Sequence, residues 1–448
     1  YVGYGRVDIT ALGGIGNDTF SVIDSSAGSA NGNDGKNYGF SSVTLDAGSG
    51  RDQITVSGAL SVSISTGSDA DTIFITAQQY RTLIEGARVI SNSDGSSTVI
   101  NADPTTITDF TAGNGGDILD YGDLLRNGTL TYDGTNPFAT GFLVLEQSGN
   151  DTLLRFDADG KASATKSAVP IVILKNVRAD SLIADNFNPN FPPNGSAATP
   201  ITLNGTYAAD KLVGGFGDDV INGLDGNDTI DGQAGSDTIR GGDGDDSIDG
   251  NFGNDTLYGD GGNDSINDDQ GSNVLDGGSG NDTLTSRSLS GSHKLIGGAG
   301  TDNLNATGLN VDLDGGDDQD YLTATGSLYI AGNNSYVNKG TATLSGGRGD
   351  DGLNVSYYST ATLSGGDGND NLSANDSRDI KLYGDAGDDR LSTYINSGNS
   401  RATDGVERII KTALLSGGDG NDNISASGYT YVGYGRVDIT ALGGIGND

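Results

Sequence analysis

The sequence predicts an all-β fold, a parallel β-solenoid interrupted by a small β-rich module. Three observations predict it. Aspartate recurs with a nine-residue period: Asp210, Asp219, Asp228, Asp237, Asp246, Asp255 and Asp264 follow one another at equal steps. Two places beyond most of these stands one aliphatic residue, as at Ile221, Ile230, Ile239, Ile248 and Leu257. The composition is the third: 75 glycines in 448 residues and only 33% hydrophobic residues, with no Trp, Met or Cys. Such a chain cannot build one thick core, but stacking a short unit gives a thin one.

The acidity is of one kind. Net charge is −37, and all but Glu85, Glu146 and Glu407 of the 61 acidic residues are Asp. The short Asp side chain suits tight turns and hard cations. Periodic placement argues against a merely solvated, disordered acidic chain. The negative surface argues against nucleic acid as a partner. Without cysteine there is neither a disulfide scaffold nor a thiolate metal site. No apolar run reaches membrane-spanning length, so no span is expected. With neither Met nor a signal peptide, the sequence reads as a segment of a longer chain.

The unit has a physical logic. "GGFGDDVIN" (214–222), "GLDGNDTID" (223–231), "GQAGSDTIR" (232–240), "GGDGDDSID" (241–249) and "GNFGNDTLY" (250–258) follow without gaps. Glycines at the first, second and fourth places permit φ > 0 and close backbone approach, so loop carbonyls can turn toward one point. The next three residues form a short strand with one apolar side chain facing inward. Two units make one coil of a flattened spiral, and equivalent residues stack at about 4.8 Å. Stacked carboxylates repel unless a cation lies between them. Carboxylates with carbonyls, all oxygen, describe a Ca²⁺ site rather than zinc or copper.

In chain order, residues 1–103 carry "GGIGNDTFS" (13–21), "AGSGRDQIT" (47–55) and "TGSDADTIF" (66–74), which place Asp18, Asp52 and Asp71. Only one edge of each coil keeps the loop, so this stretch reads as a one-sided roll. Residues 104–190 carry hydrophobic β-type runs, "TTITDFTAGNGGDILDYGDLL" (105–125), "NDTLLRFDADG" (150–160) and "VPIVILKNVRADSLIADNF" (169–187), and read as a β-rich spacer. A Pro/Gly linker (191–202) follows. Residues 203–285 are the two-sided roll, in which Asn273 takes one Asp slot and Asp282 the next. Residues 286–448 return to the one-sided style, with Asp302, Asp320, Asp351, Asp370, Asp389, Asp422 and Asp448 in the loops. The gaps around 324–345 and 393–416 read as loops or extra strands. "YVGYGRVDITALGGIGND" stands at both 1–18 and 431–448, so residue 431 restarts residue 1. One period of a tandem array plus an overlap is the natural reading, because a parallel solenoid can continue indefinitely.

The nonapeptide GGxGxDxUx, with U a large aliphatic residue, resembles the repeat of the RTX (repeats-in-toxin) calcium-binding proteins. The resemblance covers most of 1–103 and 203–448. It implies a parallel β-roll with Ca²⁺ in each turn, multiple ions in all, and export by type I secretion. The loop glycines assigned to these sites are Gly215, Gly217, Gly226, Gly235, Gly242, Gly244, Gly253, Gly262, Gly278, Gly280, Gly298, Gly300, Gly366 and Gly368. The segment 104–190 resembles a module found near the C-terminus of type I secretion substrates, although here more repeats follow it.

Catalytic chemistry has little support. The one histidine, His293, stands in the degenerate "SGSHKLI" (290–296) where other units have Asp, and reads as surface filler. One His serves neither a hydrolase triad nor a histidine metal cluster. Carboxylate pairs occur throughout, and calcium explains them better than glycoside hydrolysis does. The Gly-rich runs lack the strand–loop–helix context of phosphate binding. Tyr357, Tyr358, Tyr429, Tyr431 and Tyr434 fill the wider roll, or form a contact surface toward another filament or a cell-surface polysaccharide. The expectation is a non-enzymatic bacterial protein of the cell surface: a calcium-stabilised layer, sheath or filament built by self-association. Its competitor is the extender or ligand-binding segment of a giant adhesin. Third is an RTX enzyme or toxin whose catalytic domain lies outside this chain.

Overall fold

The computed structural model describes residues 8–23, 42–84, 88–91, 97–100, 102–129, 132, 135–160, 168–196, 198–288, 291–326, 340–396, 410–429 and 436–446. The chain forms two compact units, Tyr1–Ala198 and Thr199–Asp448. Both are built mainly of parallel strands, so the fold is all-β of the β-roll type.

In the second unit two sheets face each other. Among the described residues one has 12 strands, from Thr202–Asn204 to Arg436–Ile445, and the other 11, from Lys211–Val213 to Asn423–Tyr429. Successive strands belong to alternate sheets, so the chain winds as a flattened spiral. The period-two burial along each strand fixes the register. Ile221, Ile239, Leu257, Leu275, Leu295 and Leu313 stack in one sheet. Ile230, Ile248, Ile266, Leu284 and Leu304 stack in the other. All these side chains are at most 1% exposed and belong to one continuous core. The long gaps do not break the register: Leu313 still pairs with Leu344, and Leu382 with Leu415. Residues 327–339 and 397–409, within those gaps, lie outside the described residues.

The coil changes midway. Before Asp268 the second sheet has three-residue strands such as Thr229–Asp231, each with one inward side chain. From Asn303–Thr307 to Asn371–Asn375 its strands have five residues and bury two, such as Leu304 with Ala306 and Leu353 with Val355. The other sheet lengthens too, and Val311, Ala342, Ala361 and Ile380 add a second apolar row.

His293 begins that row, which corrects its reading as surface filler. It lies in the strand Ser292–Ala299, pairs in register with Val311 and is 3% exposed. The coil from Leu275 to Leu295 is longer than its predecessors. The longer coil keeps His293 in the Asp slot, one coil after Asn273, and that slot is itself buried: Asp237, Asp255 and Asn273 are each 1% exposed. Its Nδ1 lies 2.8 Å from Ser286 Oγ, and burial lowers its pKa, so the ring is held neutral. Tyr358 is likewise buried, as core filling requires. Tyr431, Tyr434 and the side chain of Tyr429 lie outside the described residues.

In the first unit, Asp8–Ile15, Ser42–Ser49 and Ser61–Ser65 lead one sheet, and Thr105–Ile107 and Val169–Leu174 continue it in parallel. Asp151–Phe156 and Leu143–Ser148 close it antiparallel. The residues expected as a separate spacer therefore share their sheet with the roll. Gly122–Gly128, within an expected β-type run, is helical. Leu124 and Leu125 are both fully buried. Adjacent inward side chains suit one helical turn, whereas a strand would turn one of them outward. The helix Ala77–Ile84 was not legible either; its Tyr80 ring packs edge-on against Phe156 at 4.7 Å.

Candidate metal centre

The loop aspartates form ladders. In each, Oδ1 accepts a hydrogen bond from the backbone N–H of the equivalent Asp one coil earlier. Along one edge the bonds run from Asp210 to Asp228, Asp246, Asp264, Asp282 and Asp302, at 2.7–2.8 Å. The same ladder continues through Asp302, Asp320, Asp351, Asp370, Asp389 and Asp422 at 2.8–3.0 Å. The opposite edge has a short ladder, Asp219, Asp237, Asp255 and Asn273. In the first unit Asp18, Asp52, Asp71 and Asp117 make a third. Asp448 lies outside the described residues.

This arrangement commits one carboxylate oxygen to the fold and leaves the other. Oδ2 of Asp52, Asp71, Asp228, Asp237, Asp246, Asp255, Asp264, Asp282, Asp302, Asp320, Asp351, Asp370 and Asp389 is buried and has no hydrogen-bond partner. Leaving a carboxylate uncompensated in the interior costs several kcal/mol, about 3–5 for a pair stripped of one partner. The consequence is visible in acidity. Burial, followed by the neighbouring carboxylates Asp255 and Asp219, raises Asp237 to about 8. Burial chiefly raises Asp264, Asp320 and Asp370 to about 7. A cation at Oδ2 removes both penalties.

The surroundings of Oδ2 identify the kind of cation. A Cβ added to Gly223 would stand 2.1 Å from Asp228 Oδ2 and 2.4 Å from the carbonyl oxygen of Gly241. The same pairing recurs at Gly297, with Asp302 Oδ2 at 2.4 Å and Gly315 O at 2.6 Å, and at Gly365, with Asp370 Oδ2 at 2.1 Å and Gly384 O at 2.7 Å. The first-place glycine thus keeps open a cradle where a carboxylate and a main-chain oxygen converge. Among the described residues no three acidic or histidine side chains gather to hold a metal. An ion here would draw on carbonyls as well, which suits oxygen-seeking Ca²⁺ and excludes a histidine- or thiolate-bound metal.

The glycines divide by role. Gly226, Gly235, Gly244, Gly253, Gly262, Gly280, Gly300 and Gly368, at the fourth place, have φ between 113° and 158°. Gly242, Gly278, Gly298 and Gly366, at the second, have φ of 103–116°. That conformation holds even where the second residue is Leu224, at 88°. Gly215 and Gly217, at the start of this roll, do not have positive φ, contrary to expectation. Gly217 meets the backbone of Thr199 and Pro200 instead, and the Gly215 N–H donates to Asp219 Oδ2 at 2.5 Å. The first-place glycines also differ from expectation: Gly214, Gly223 and Gly241 do not have positive φ, and close approach by oxygen explains them.

The ladder ends are satisfied differently. Asp210 Oδ2 accepts from Thr206 N–H at 2.6 Å, so in the first rungs, Asp210 and Asp219, Oδ2 is bonded within its own loop. Asp117 closes the first-unit ladder with Oδ2 bonded by Thr111 N–H at 2.8 Å and Thr66 Oγ at 3.1 Å. It lies outside any nonapeptide, and only its place in "GGDILD" hinted at it.

The sequence model for the RTX calcium-binding nonapeptide repeat (4 copies) matches residues 204–239, 224–257, 231–266, 258–287 and 361–391. A search of curated proteins found no match to the chain. Repeats of this kind bind calcium, and proteins carrying them are typically secreted. The matched residues hold the ladder carboxylates from Asp210 to Asp282 with Asp370 and Asp389, and there the chain carries RTX calcium-binding nonapeptide repeats folded as a parallel β-roll.

Proposed function

We propose that the protein is an extracellular structural component whose calcium-stabilised roll passes from one sequence period to the next and assembles into a bacterial cell-surface layer, sheath or filament. The ladder aspartates hold Ca²⁺ through Oδ2 together with carbonyls of the adjacent coil. Folding follows calcium, so the chain stays unfolded in a low-calcium cytosol and folds after export.

One observation carries the structural reading. The segment "DITALGGI" occurs at 8–15 and at 438–445. At 438–445 it belongs to the strand Arg436–Ile445, which pairs with the preceding coil, Ile410–Asp419. At 8–15 it pairs with the following coil, Ser42–Ser49. The same strand is therefore compatible with a neighbour on either side, as a solenoid continuing through the repeat requires.

Electron microscopy of native material in millimolar calcium tests the proposal. Filaments or a lattice that disappear with chelator are the expected result, with an axial repeat matching period 1–430. Isolated rods that never associate would overturn assembly and favour an adhesin extender. Assemblies indifferent to chelator would overturn the role of calcium.

A further inference from the structure

The shorter ladder ends in an exchange of residues. In the unit 268–276 the first place holds Asp268 where the other units of this edge have glycine, and the Asp slot holds Asn273. Asn273 keeps the ladder bond, its Oδ1 accepting from Asp255 N–H at 3.0 Å. Its Nδ2 donates to the Gln270 carbonyl at 2.9 Å, so its second atom is a donor and repels a cation.

Asp268 supplies what Asn273 withholds. It is 0% exposed, its Oδ1 accepts from Gln270 N–H at 3.1 Å, and its Oδ2 has no hydrogen-bond partner. Oδ2 of Asp255, at 1% exposure, has none either. Both aim at one point: a Cβ added to Gly250 would stand 2.5 Å from Asp268 Oδ2 and 2.8 Å from Asp255 Oδ2. One coil earlier, the corresponding point at Gly232 has Asp237 Oδ2 at 2.6 Å and the Gly250 carbonyl at 3.0 Å. A carboxylate has replaced a neutral carbonyl in the cradle.

We infer that Asp255 and Asp268 form a two-carboxylate calcium site that binds more tightly than the other cradles of the roll. The inference rests on the calcium reading of the ladders. Two anionic ligands neutralise a divalent ion where one leaves it half compensated, and ligand charge is a principal determinant of calcium affinity. The site lies where the opposite edge gives up its ladder, so its ion is the last to leave on chelation and anchors the two-edged coils.

The test is a calcium titration of the full chain against a chromophoric chelator, which resolves the tightest step. The chain should show one ion bound at least about tenfold more tightly than the rest, and Asp268→Asn should remove that step alone. The double variant Asp268→Gly/Asn273→Asp rebuilds an ordinary unit. It should bind as many ions as the original chain without the tight class, which keeps the test valid if Asp268→Asn does not fold. A tight step unchanged in Asp268→Asn or in the double variant overturns the inference. So does an Asp268→Asn chain that binds calcium as before and gains stability in chelator, since the two carboxyls would then share a proton rather than an ion. Failure of any part of the chain to bind calcium instead overturns the ladder reading itself.

Discussion

The two edges of the second roll stabilise a coil by different means. One keeps its aspartate ladder from Asp210 through Asp422. The other carries Asp219, Asp237 and Asp255, passes through the Asp268–Asn273 exchange and then abandons carboxylates. Beyond that point the adjoining strands lengthen and bury a second apolar row, including Val311, Val355 and Ile380. Where the chain gives up a charged oxygen cradle it gains apolar contact. An inward aliphatic side chain is worth about 1.5–3 kcal/mol, against about 1–2 kcal/mol of backbone entropy per residue. A coil with one such residue per strand therefore leans on ions more than a coil with two.

The largest test of that contrast is calcium removal. Once chelator at pH 8 has removed every ion, hydrogen exchange should show amides of 219–282 unprotected, while those of 341–391 keep part of their protection. Equal loss in both stretches would break the comparison.

The chelated state should also depend on pH. Several buried ladder aspartates are raised from 3.8, Asp237 to about 8, Asp264 to about 7 and Asp302 to about 6, burial being the main cause. Between those limits the folded chain binds more protons than the unfolded one, so metal-free stability is full below about pH 4 and is lost as pH rises through 6–8. Circular dichroism in chelator should show more structure at pH 5 than at pH 8. With calcium the dependence reverses, because protons compete for Oδ2.

Core truncations separate the edges further. Leu353→Ala, at 1% exposure in the apolar-reinforced coils, should cost about 2–5 kcal/mol of unfolding free energy in saturating calcium. Ile239→Ala in the two-edged coils should cost a similar amount, and it should also raise the calcium concentration needed to fold. Leu353→Ala should raise that concentration less. Denaturant melts at graded calcium measure both.

Gly365→Ala acts on the cradle alone. Its Cβ would lie 2.1 Å from Asp370 Oδ2, forcing the carboxylate aside, at about 1–3 kcal/mol and the loss of one bound ion. Gly352→Ala, whose nearest contact is the Tyr321 ring at 3.2 Å, should change stability by no more than about 0.5 kcal/mol and release no ion. The smallest effect belongs to the surface. Arg240 pairs with Asp260 at 2.8 Å and lies 4.0 Å over the Tyr258 ring, all partly exposed. Arg240→Ala should cost about 0.5 kcal/mol, less in high salt.

Much of this was legible in the sequence because the physics repeats. The nine-residue spacing of Asp219, Asp228 and Asp237 encodes two units per coil, and the inward Ile residues follow from alternation along a strand. What escaped depends on relations between coils. That Asp Oδ1 is committed to backbone while Oδ2 is left over is invisible in a single unit. So is the reason for Gly223, which answers to the Gly241 carbonyl on the next coil. His293 was misread as surface because a single unit does not show that its Asp slot is buried, and the helix Gly122–Gly128 because a seven-residue element leaves little periodic signal.

The most direct measurement is a crystal structure grown in millimolar calcium, with anomalous scattering used to place the ions. Peaks should lie between Asp Oδ2 and the carbonyls of the neighbouring coil, on both edges as far as Asp255 and on one edge only beyond His293. Peaks on both edges beyond His293, or ladder carboxylates whose Oδ2 atoms face no ion, would contradict the division of labour between the two edges.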